Sequence, residues 1–309
     1  MWSTHRSRKM KKNILITGGA GFIGYSLALK LLENENVANI VIYDDLSRNN
    51  HNIFASGFFK NPRTKFILGN ILDQSKFKEA LEGIDVVYHL AAIVSEPNRD
   101  ADSQYFEQIN HWGTSIVANE IKNSAVETVI YASSIYVYGH SDGPQSLDSH
   151  IQPNSFYGIS KLKGEKQLKA ILAGSKNLKI FRIGNVFGIN ATTRYDLLIN
   201  KLCFDAKYLN HINIYGSGNQ IRPVISLENC AKILEQAFQK KSEEDNLENL
   251  FQRNLSIMDI VDGLKTIYPN LQYNFVNRNM KMKSIILNKK IETEKNAIKY
   301  LLQKIIEII

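Results

Sequence analysis

The chain predicts an α/β fold, a doubly wound parallel sheet with a smaller α/β C-terminal lobe. Three observations carry this. From residue 13 to about 183, short apolar runs of strand length alternate with longer segments whose apolar residues recur at helical spacing. The first run, Ile14-Leu15-Ile16, leads straight into Thr17-Gly18-Gly19-Ala20-Gly21-Phe22-Ile23-Gly24 and then a helical pattern through Leu27, Leu31 and Leu32. The second run, Asn39-Ile40-Val41-Ile42-Tyr43, ends at a carboxylate, Asp44, twenty residues past Gly24.

Such a strand, turn and helix suits the pyrophosphate of a dinucleotide. Gly18 permits the turn, Gly21 leaves space for a phosphate to approach the backbone, and Gly24 lets the helix lie close on its strand. The helix opens at Phe22 and Ile23, where free N–H groups and the positive dipole end meet the anion. Asp44 is placed to accept the adenosine ribose hydroxyls and would repel a 2′-phosphate, which favours NAD over NADP. Arg48 nearby works in the opposite sense. Asp45, Leu46 and Ser47 open a polar loop over the adenosine side.

The third strand is at 66–68, closed by Gly69-Asn70-Ile71-Leu72-Asp73, and a helix through Phe77, Leu81 and Ile84 follows. A fourth strand at 85–92 ends in Leu90, Ala91 and Ala92, residues along which a flat cofactor can lie. His89, inside that strand, reads as a packed core histidine. After a loop at 93–103, one long helix at 103–123 carries Phe106, Ile109, Ile116, Val117 and Ile121 on one stripe, with Asn110 within it. The fifth strand, 129–134, ends in Ser133-Ser134; a loop at 139–154 leads to a helix at 155–173 and a sixth strand at 179–183. The remainder is less regular: a loop at 188–194, a helix at 195–208, strands at 212–215 and 223–226, a helix at 228–240 and a charged linker at 240–246. The organisation is therefore an extension at 1–9, a Rossmann-type domain at 10–184 and a substrate lobe at 185–309 interleaved with it.

The formal net charge of +8 is not spread over this fold. Arg6, Arg8, Lys9, Lys11 and Lys12 precede the first strand, and eight Lys or Arg against three Glu lie from Arg278 onward, so the body between is slightly acidic. A basic stripe interleaved with aromatics is missing, which argues against nucleic acid. No apolar run reaches the roughly 18–20 residues needed to span a bilayer, so no integral membrane segment is expected. The two cysteines, Cys203 and Cys230, each sit in an apolar pattern, which argues against a disulfide framework or a zinc site and suits the cytoplasm. Residues 1–9 lack the apolar core of a signal peptide, and Met10 is a natural start just before the first strand. They are expected to be disordered.

Tyr157-Gly158-Ile159-Ser160-Lys161 places a phenol and an ammonium four residues apart on one helix face. A free tyrosine, with a pKa near 10, is too weakly acidic to act as a base at neutral pH. Two partly buried cations can supply the roughly 4 kcal/mol that lowers it by about 3 units. With a dinucleotide site upstream and a strand ending in Ser133-Ser134, the pair points to proton and hydride chemistry.

These stretches resemble the extended short-chain dehydrogenases/reductases, specifically the nucleotide-sugar epimerase/dehydratase family of UDP-glucose 4-epimerase type. The resemblance rests on TGGAGFIG at 17–24, DDLS at 44–47, HLAA at 89–92, SSIYVYG at 133–139, YGISK at 157–161, FRIGNVFG at 181–188 and GSGNQIRPVIS at 216–226. It implies NAD as cofactor, with Gly18, Gly21 and Gly24 at its phosphates, Asp44 at the ribose, and Asn70 and Ile71 at the adenine. It further implies Ser134 hydrogen-bonded to the reacting sugar oxygen, Tyr157 as base and Lys161 bridging to the nicotinamide ribose. Asn185 and Arg222 match groups on the substrate diphosphate.

The departures shape the expected reaction. The family usually has Asp where Asn70 stands. The acidic pair of the 4,6-dehydratases is missing at Ile135-Tyr136, so elimination of water is disfavoured, and Tyr136 is bulky for this turn. Pro223 and Asn229 each replace a usual Asp. The strand before the last lobe is reduced at 245–251. The segment with Arg194, Asp196, Leu197 and Asn200 resembles one in enzymes of surface-polysaccharide and deoxysugar synthesis. The resemblance implies an NAD-dependent C4 epimerase working through a 4-keto sugar, with a 4-dehydrogenase or 4-ketosugar reductase, or a silent NAD(H)-binding protein, as alternatives. It also implies a homodimer paired through the helices at 103–123 and 155–173. A final helix with Ile298, Leu301, Leu302, Ile305, Ile308 and Ile309 on one stripe is expected to cover the lobe or face a second copy, with membrane-surface contact through its lysines as a lesser alternative.

Overall fold

The computed structural model describes residues 10–94, 103–140, 143–240, 246–279, 283–288 and Leu302. The extension at 1–9, most of the charged linker and, apart from Leu302, the stripe of the final helix lie outside them.

β1 (Lys12–Thr17) runs into the glycine turn and α1 (Phe22–Glu33); β2 (Val37–Asp44), the one-turn helix α2 (Asn52–Ala55) and β3 (Thr64–Leu68) follow. Next come α3 (Gln74–Ala80), β4 (Val86–His89), α4 (Ser103–Phe106), a π-helical segment at Glu107–Gly113, and α5 (Thr114–Lys122). β5 (Thr128–Ser134), α6 (Phe156–Leu172) and β6 (Asn177–Ile183) complete the alternation that the apolar pattern predicts. The large sheet has seven parallel strands, and β1 lies between β2 and β4, so the winding direction reverses there. That reversal opens a crevice at the strands' C-terminal ends.

Period-two alternation sorts the core into two layers. Ile14, Ile16, Val86, Tyr88 and Ile130 face one side with Leu27 and Leu31 of α1; Leu15, Val87, Val129 and Tyr131 face the other with Phe77 of α3, Val117 of α5 and Leu168 of α6. Each fully buried Leu, Ile, Val or Phe contributes about 1.5–3 kcal/mol over its exposed state. The long helix at 103–123 is interrupted, because the Thr114 hydroxyl bonds the Asn110 carbonyl at 2.7 Å and the backbone widens into the π-helical segment.

The second half returns to the first. After β7 (Asn185–Phe187), α7 (Leu198–Phe204), β8 (His211–Tyr215) and β9 (Ile221–Ser226), α8 (Leu227–Ala237) packs beside α1 on the first layer. The stretch that looked like a reduced strand is β10 (Asn246–Leu250), the seventh strand of the large sheet, parallel to β6. Beyond it, β11 (Arg253–Ser256), α9 (Ile257–Ile267) and β12 (Gln272–Val276) build a lobe with its own core of Phe187, Leu202, Ile214, Val224, Ile260, Leu264 and Leu302. α9 starts on a full capping box, the Ser256 hydroxyl and Asp259 carboxylate each bonding the other's backbone N–H.

Candidate active site

One continuous groove follows the C-terminal edge of the large sheet, with Gly18, Asp44, Ile71, Ala91, Ser134, Tyr157, Lys161 and Asn185 along it. Its first end is made of backbone. Gly18 holds φ +68°, and a Cβ there would stand 2.7 Å from the Ala91 nitrogen; at Gly24 it would stand 2.4 Å from the Gly18 carbonyl oxygen. Turn, helix and the segment after β4 therefore touch through main chain, and no side-chain bond caps the helix start at Gly21. Free N–H groups there fit an anion.

Asp44 is tied to the same turn: its carboxylate accepts the Leu46 N–H at 2.9 Å and the Ala20 N–H at 3.0 Å. Burial raises its pKa, the two N–H bonds oppose that rise, and neighbouring Asp45 adds to it. The Asn70 amide donates to Asp45 at 3.0 Å, so it ties the loop after β2 to the segment after β3. Beneath the turn, His89 joins the Thr17 hydroxyl at 2.7 Å to that of Thr114 at 3.0 Å. Burial, with Lys161 adding, lowers its pKa to about 3, so it stays neutral.

The other end is made of side chains. β5 delivers Ser133 and Ser134 on opposite faces. Ser134 lines the groove and accepts the Tyr136 N–H at 3.3 Å. α6, capped by Ser155, presents Tyr157 and Lys161 one turn apart. The Tyr157 ring lies 6.2 Å from those of Phe106 and Tyr136. Its pKa is pushed up to about 12, chiefly by burial; a hydrogen bond with Ser134 and the charge of Arg194 oppose this, and Tyr136 adds to it. Burial brings Lys161 down to about 7 against the pull of Glu165, and its Nζ sits 4.1 Å from the centre of the Tyr131 ring. The protein's own groups thus hold a protonated phenol beside an amine near its point of deprotonation. A lowered phenol pKa needs a further cation at its face.

Of the expected site residues, Gly18, Gly21, Phe22, Ile23, Gly24, Asp44, Asp45, Ser47, Asn70, Ile71, Leu90, Ala91, Ala92, Ser134, Tyr157, Lys161 and Asn185 line the groove. Three lie outside that lining. Leu46, at φ +56°, packs its side chain on the core. Asn110 is fully buried, its amide clamping Ile93 N–H and C=O at 2.8 Å and Ser160 at 3.0 Å. Arg222 donates to the Ile221 and Lys283 carbonyls at 2.9 and 2.8 Å. Tyr136 and Arg194 line the groove without having been expected to bind there. The Tyr136 hydroxyl donates to Asn185 at 3.2 Å, and Arg194 is braced by Asp196, Nε to Oδ1 3.0 Å. The bulk of Tyr136 and the Arg-x-Asp spacing were the signals. Among the described residues, Asp44 and Asp45 are the groove's only carboxylates, and no cluster of metal-ligating side chains is assembled.

A putative UDP-glucose 4-epimerase of Methanocaldococcus jannaschii is 30% identical over 258 residues, 82% of this chain and 81% of that one. An uncharacterized UDP-glucose epimerase of Bacillus subtilis is 30% identical over 71% of this chain and 70% of its own. Among solved structures, UDP-glucuronic acid 4-epimerase from Bacillus cereus, in complex with UDP-glucuronic acid and NAD, superposes with a TM-score of 0.83 at 25% identity. That match covers 96% of this chain and 100% of that one. The profile of the NAD dependent epimerase/dehydratase family matches residues 14–250, and with the glycine turn, the Asp44 carboxylate and the Tyr157–Lys161 helix in one groove, the chain belongs to that family.

Proposed function

We propose that the protein is an NAD-dependent epimerase acting at C4 of a nucleotide-linked sugar. The observation that carries this is the composition of the reacting end: Ser134, Tyr157 and Lys161 share it, and no carboxylate of the described residues accompanies them. The cradle fits NAD, since side chains at Gly18 and Gly24 would strike backbone and Asp44 retains acceptor capacity beside the turn. Gly18, Gly21 and Gly24 would hold its pyrophosphate, Asp44 its adenosine ribose, and Lys161 its nicotinamide ribose. When bound, NAD supplies reversible hydride exchange and a positive charge.

The residues divide the remaining work. Tyr157 takes the C4 hydroxyl proton and later returns it to the same oxygen, while the configuration inverts because hydride comes back to the opposite face of C4. Ser134 hydrogen-bonds the same oxygen as it passes between hydroxyl and carbonyl. Lys161, as ammonium, lowers the phenol pKa together with the nicotinamide charge. Tyr136 and Asn185 form one wall beside the sugar, and Arg194 faces Tyr157 from the lobe. Elimination of water needs an acid beside the sugar, and among the described residues the groove's carboxylates, Asp44 and Asp45, stand at the glycine-turn end.

NAD-loaded protein incubated with UDP-, GDP-, dTDP- and CDP-sugars should convert one of them to its C4 epimer with no steady change in NADH absorbance. Stoichiometric NADH formation or consumption would reassign it as a dehydrogenase or a 4-ketosugar reductase. Two buried, unpaired thiols suit the cytoplasm, and among the described residues no helix is long and apolar enough to cross a membrane. Trp112 in the π-helical segment and Phe156 and Ile159 on α6 are exposed apolar side chains on the two helices through which a second copy would pair. A homodimer should appear by light scattering, and Trp112→Glu should shift it toward monomer.

A further inference from the structure

Beneath the reacting end lies an ion pair that the proposed reaction does not use. Glu165, one turn beyond Lys161 on α6, and Arg182, on β6, are each 2% exposed. Arg182 grips Glu165 with two bonds, Nε at 3.0 Å and Nη2 at 2.8 Å, and its guanidinium lies 4.9 Å from the centre of the Tyr138 ring. The Ser133 hydroxyl also donates to Glu165. The carboxylate is therefore pinned from β5 and β6 while its own helix carries Tyr157 and Lys161. An isolated buried pair of this kind is seldom more stable than apolar residues of the same volume, so stability alone is a weak reason for it to sit here.

We propose that Glu165 is a positioning residue that keeps Lys161 charged, with Arg182 and Ser133 holding its carboxylate in place for that purpose. The groups facing Lys161 leave no other candidate among the described residues. From β4 comes His89, which is neutral; from β5, the uncharged Tyr131 ring; on α6, the protonated Tyr157; and Arg182, on β6, is a cation. Glu107, on the π-helical segment packed against α6, is taken up by Lys163 and His111, so Glu165 is the anion whose pull opposes the burial that brings Lys161 down to about 7. Without it the amine would be neutral at physiological pH, and neither a ribose hydroxyl nor a phenolate would find a cation there. This inference rests on the reading of Lys161 as the ammonium of the site.

The titration of Lys161 tests it directly. Full-length protein labelled with [13Cε]lysine would be titrated by NMR, with Lys161→Met identifying the signal. Glu165→Gln should lower the Lys161 midpoint by about one pH unit, and Glu165→Asp, which restores the charge, should bring it back toward wild type. A folded Glu165→Gln protein with an unmoved midpoint overturns the proposal, as does Glu165→Asp shifting as far as Glu165→Gln. If Glu165→Gln does not fold, Glu165→Met paired with Arg182→Met fills the same space with apolar groups. Because this variant also removes a cation, its midpoint is read against that of Arg182→Met alone: a lower midpoint in the double variant supports the proposal and an equal one overturns it. The midpoint is read without substrate, so a failure here stays distinct from a failure of the epimerase reading, which turnover of Lys161→Met examines.

Discussion

The glycine-turn end of the groove and its Tyr157–Lys161 end are held by different physics. At the first, main chain packs on main chain, and Asp44 is fixed by two N–H bonds at 2.9 and 3.0 Å. At the second, a phenol near 12 and an amine near 7 stand side by side, each displaced by burial from its ordinary value in the direction that removes charge. One end is a shape, complete in the polypeptide alone. The other is an electrostatic balance that the polypeptide leaves on its neutral side, so a cationic ligand at the phenol would tip it. Binding and chemistry should therefore respond separately to mutation.

The largest expected effect separates them. Tyr157→Phe keeps the ring and its contacts with Phe106 and Tyr136, so NAD affinity should hold within a few-fold. Turnover should fall by about 10²–10⁴-fold, the usual consequence of losing a general base. Titration gives the sign. The free protein should show no tyrosinate absorbance from Tyr157 until pH approaches 12, whereas the NAD complex should show it below 10 and Tyr157→Phe should not. Equal turnover in wild type and variant would remove Tyr157 from the mechanism.

The converse change breaks the first end. Gly24→Val drives a side chain into the Gly18 carbonyl oxygen and the Gly19 backbone, neither of which can yield without moving the turn. NAD binding should fall below detection by calorimetry while the tyrosine titration of the cofactor-free protein stays as it was. A milder lesion is Asp44→Ala. It removes the acceptor for the Ala20 and Leu46 N–H groups and, in the proposed binding mode, for the ribose, and charged hydrogen bonds of this kind contribute about 1.5–3 kcal/mol each. NAD should bind roughly 10–100-fold more weakly, and its advantage over NADP should shrink. An undiminished preference would mean that something other than Asp44 excludes the 2′-phosphate.

The first end was also the more legible in sequence, for the same reason. Glycine spacing, a strand ending in a carboxylate and period-two apolar runs are local, and they translate directly into backbone. The reacting end was half legible. Ser134, Tyr157 and Lys161 announce themselves by spacing, but the pKa values of Tyr157 and Lys161 depend on burial contributed by distant elements: the lowered phenol expected from two cations belongs to the cofactor complex, and the protein alone holds it high. Asn110 and Arg222 show the same limit: each is polar and in register with the motif, yet one clamps Ile93 to Ser160 and the other bonds the carbonyls of Ile221 and Lys283. At the edge of the large sheet, β10 was obscured because it pairs with β6 more than sixty residues away. α9 was readable and missed: Ser256 and Asp259 form a capping box, and Ile257, Ile260, Val261 and Leu264 follow at helical spacing.

His89 is where the two ends meet, and it offers the smallest and finest test. It bonds Thr17, whose hydroxyl also accepts the Ala91 N–H at 3.3 Å beside the glycine turn, and it feels the charge of Lys161 from the other end. Its folded pKa, about 3, lies below the ordinary 6.5. Between those values the unfolded chain binds the proton and the native protein does not, so stability contributed by neutral His89 is fully present above 6.5 and is lost as pH falls toward 3. Lys161 obeys the same sign in a higher window: its folded pKa is about 7 against an ordinary 10.5, so its share of stability grows from pH 7 upward. Denaturant unfolding at a series of pH values should therefore show stability falling by up to about 1.4 kcal/mol per pH unit below 6 on account of His89. His89→Gln keeps an amide between Thr17 and Thr114 but cannot titrate, so its unfolding curve should be flatter over the same range. If both proteins lose stability at the same rate from pH 6 to pH 4, the acid sensitivity belongs to other groups and His89 does not couple the backbone end of the groove to its charged end.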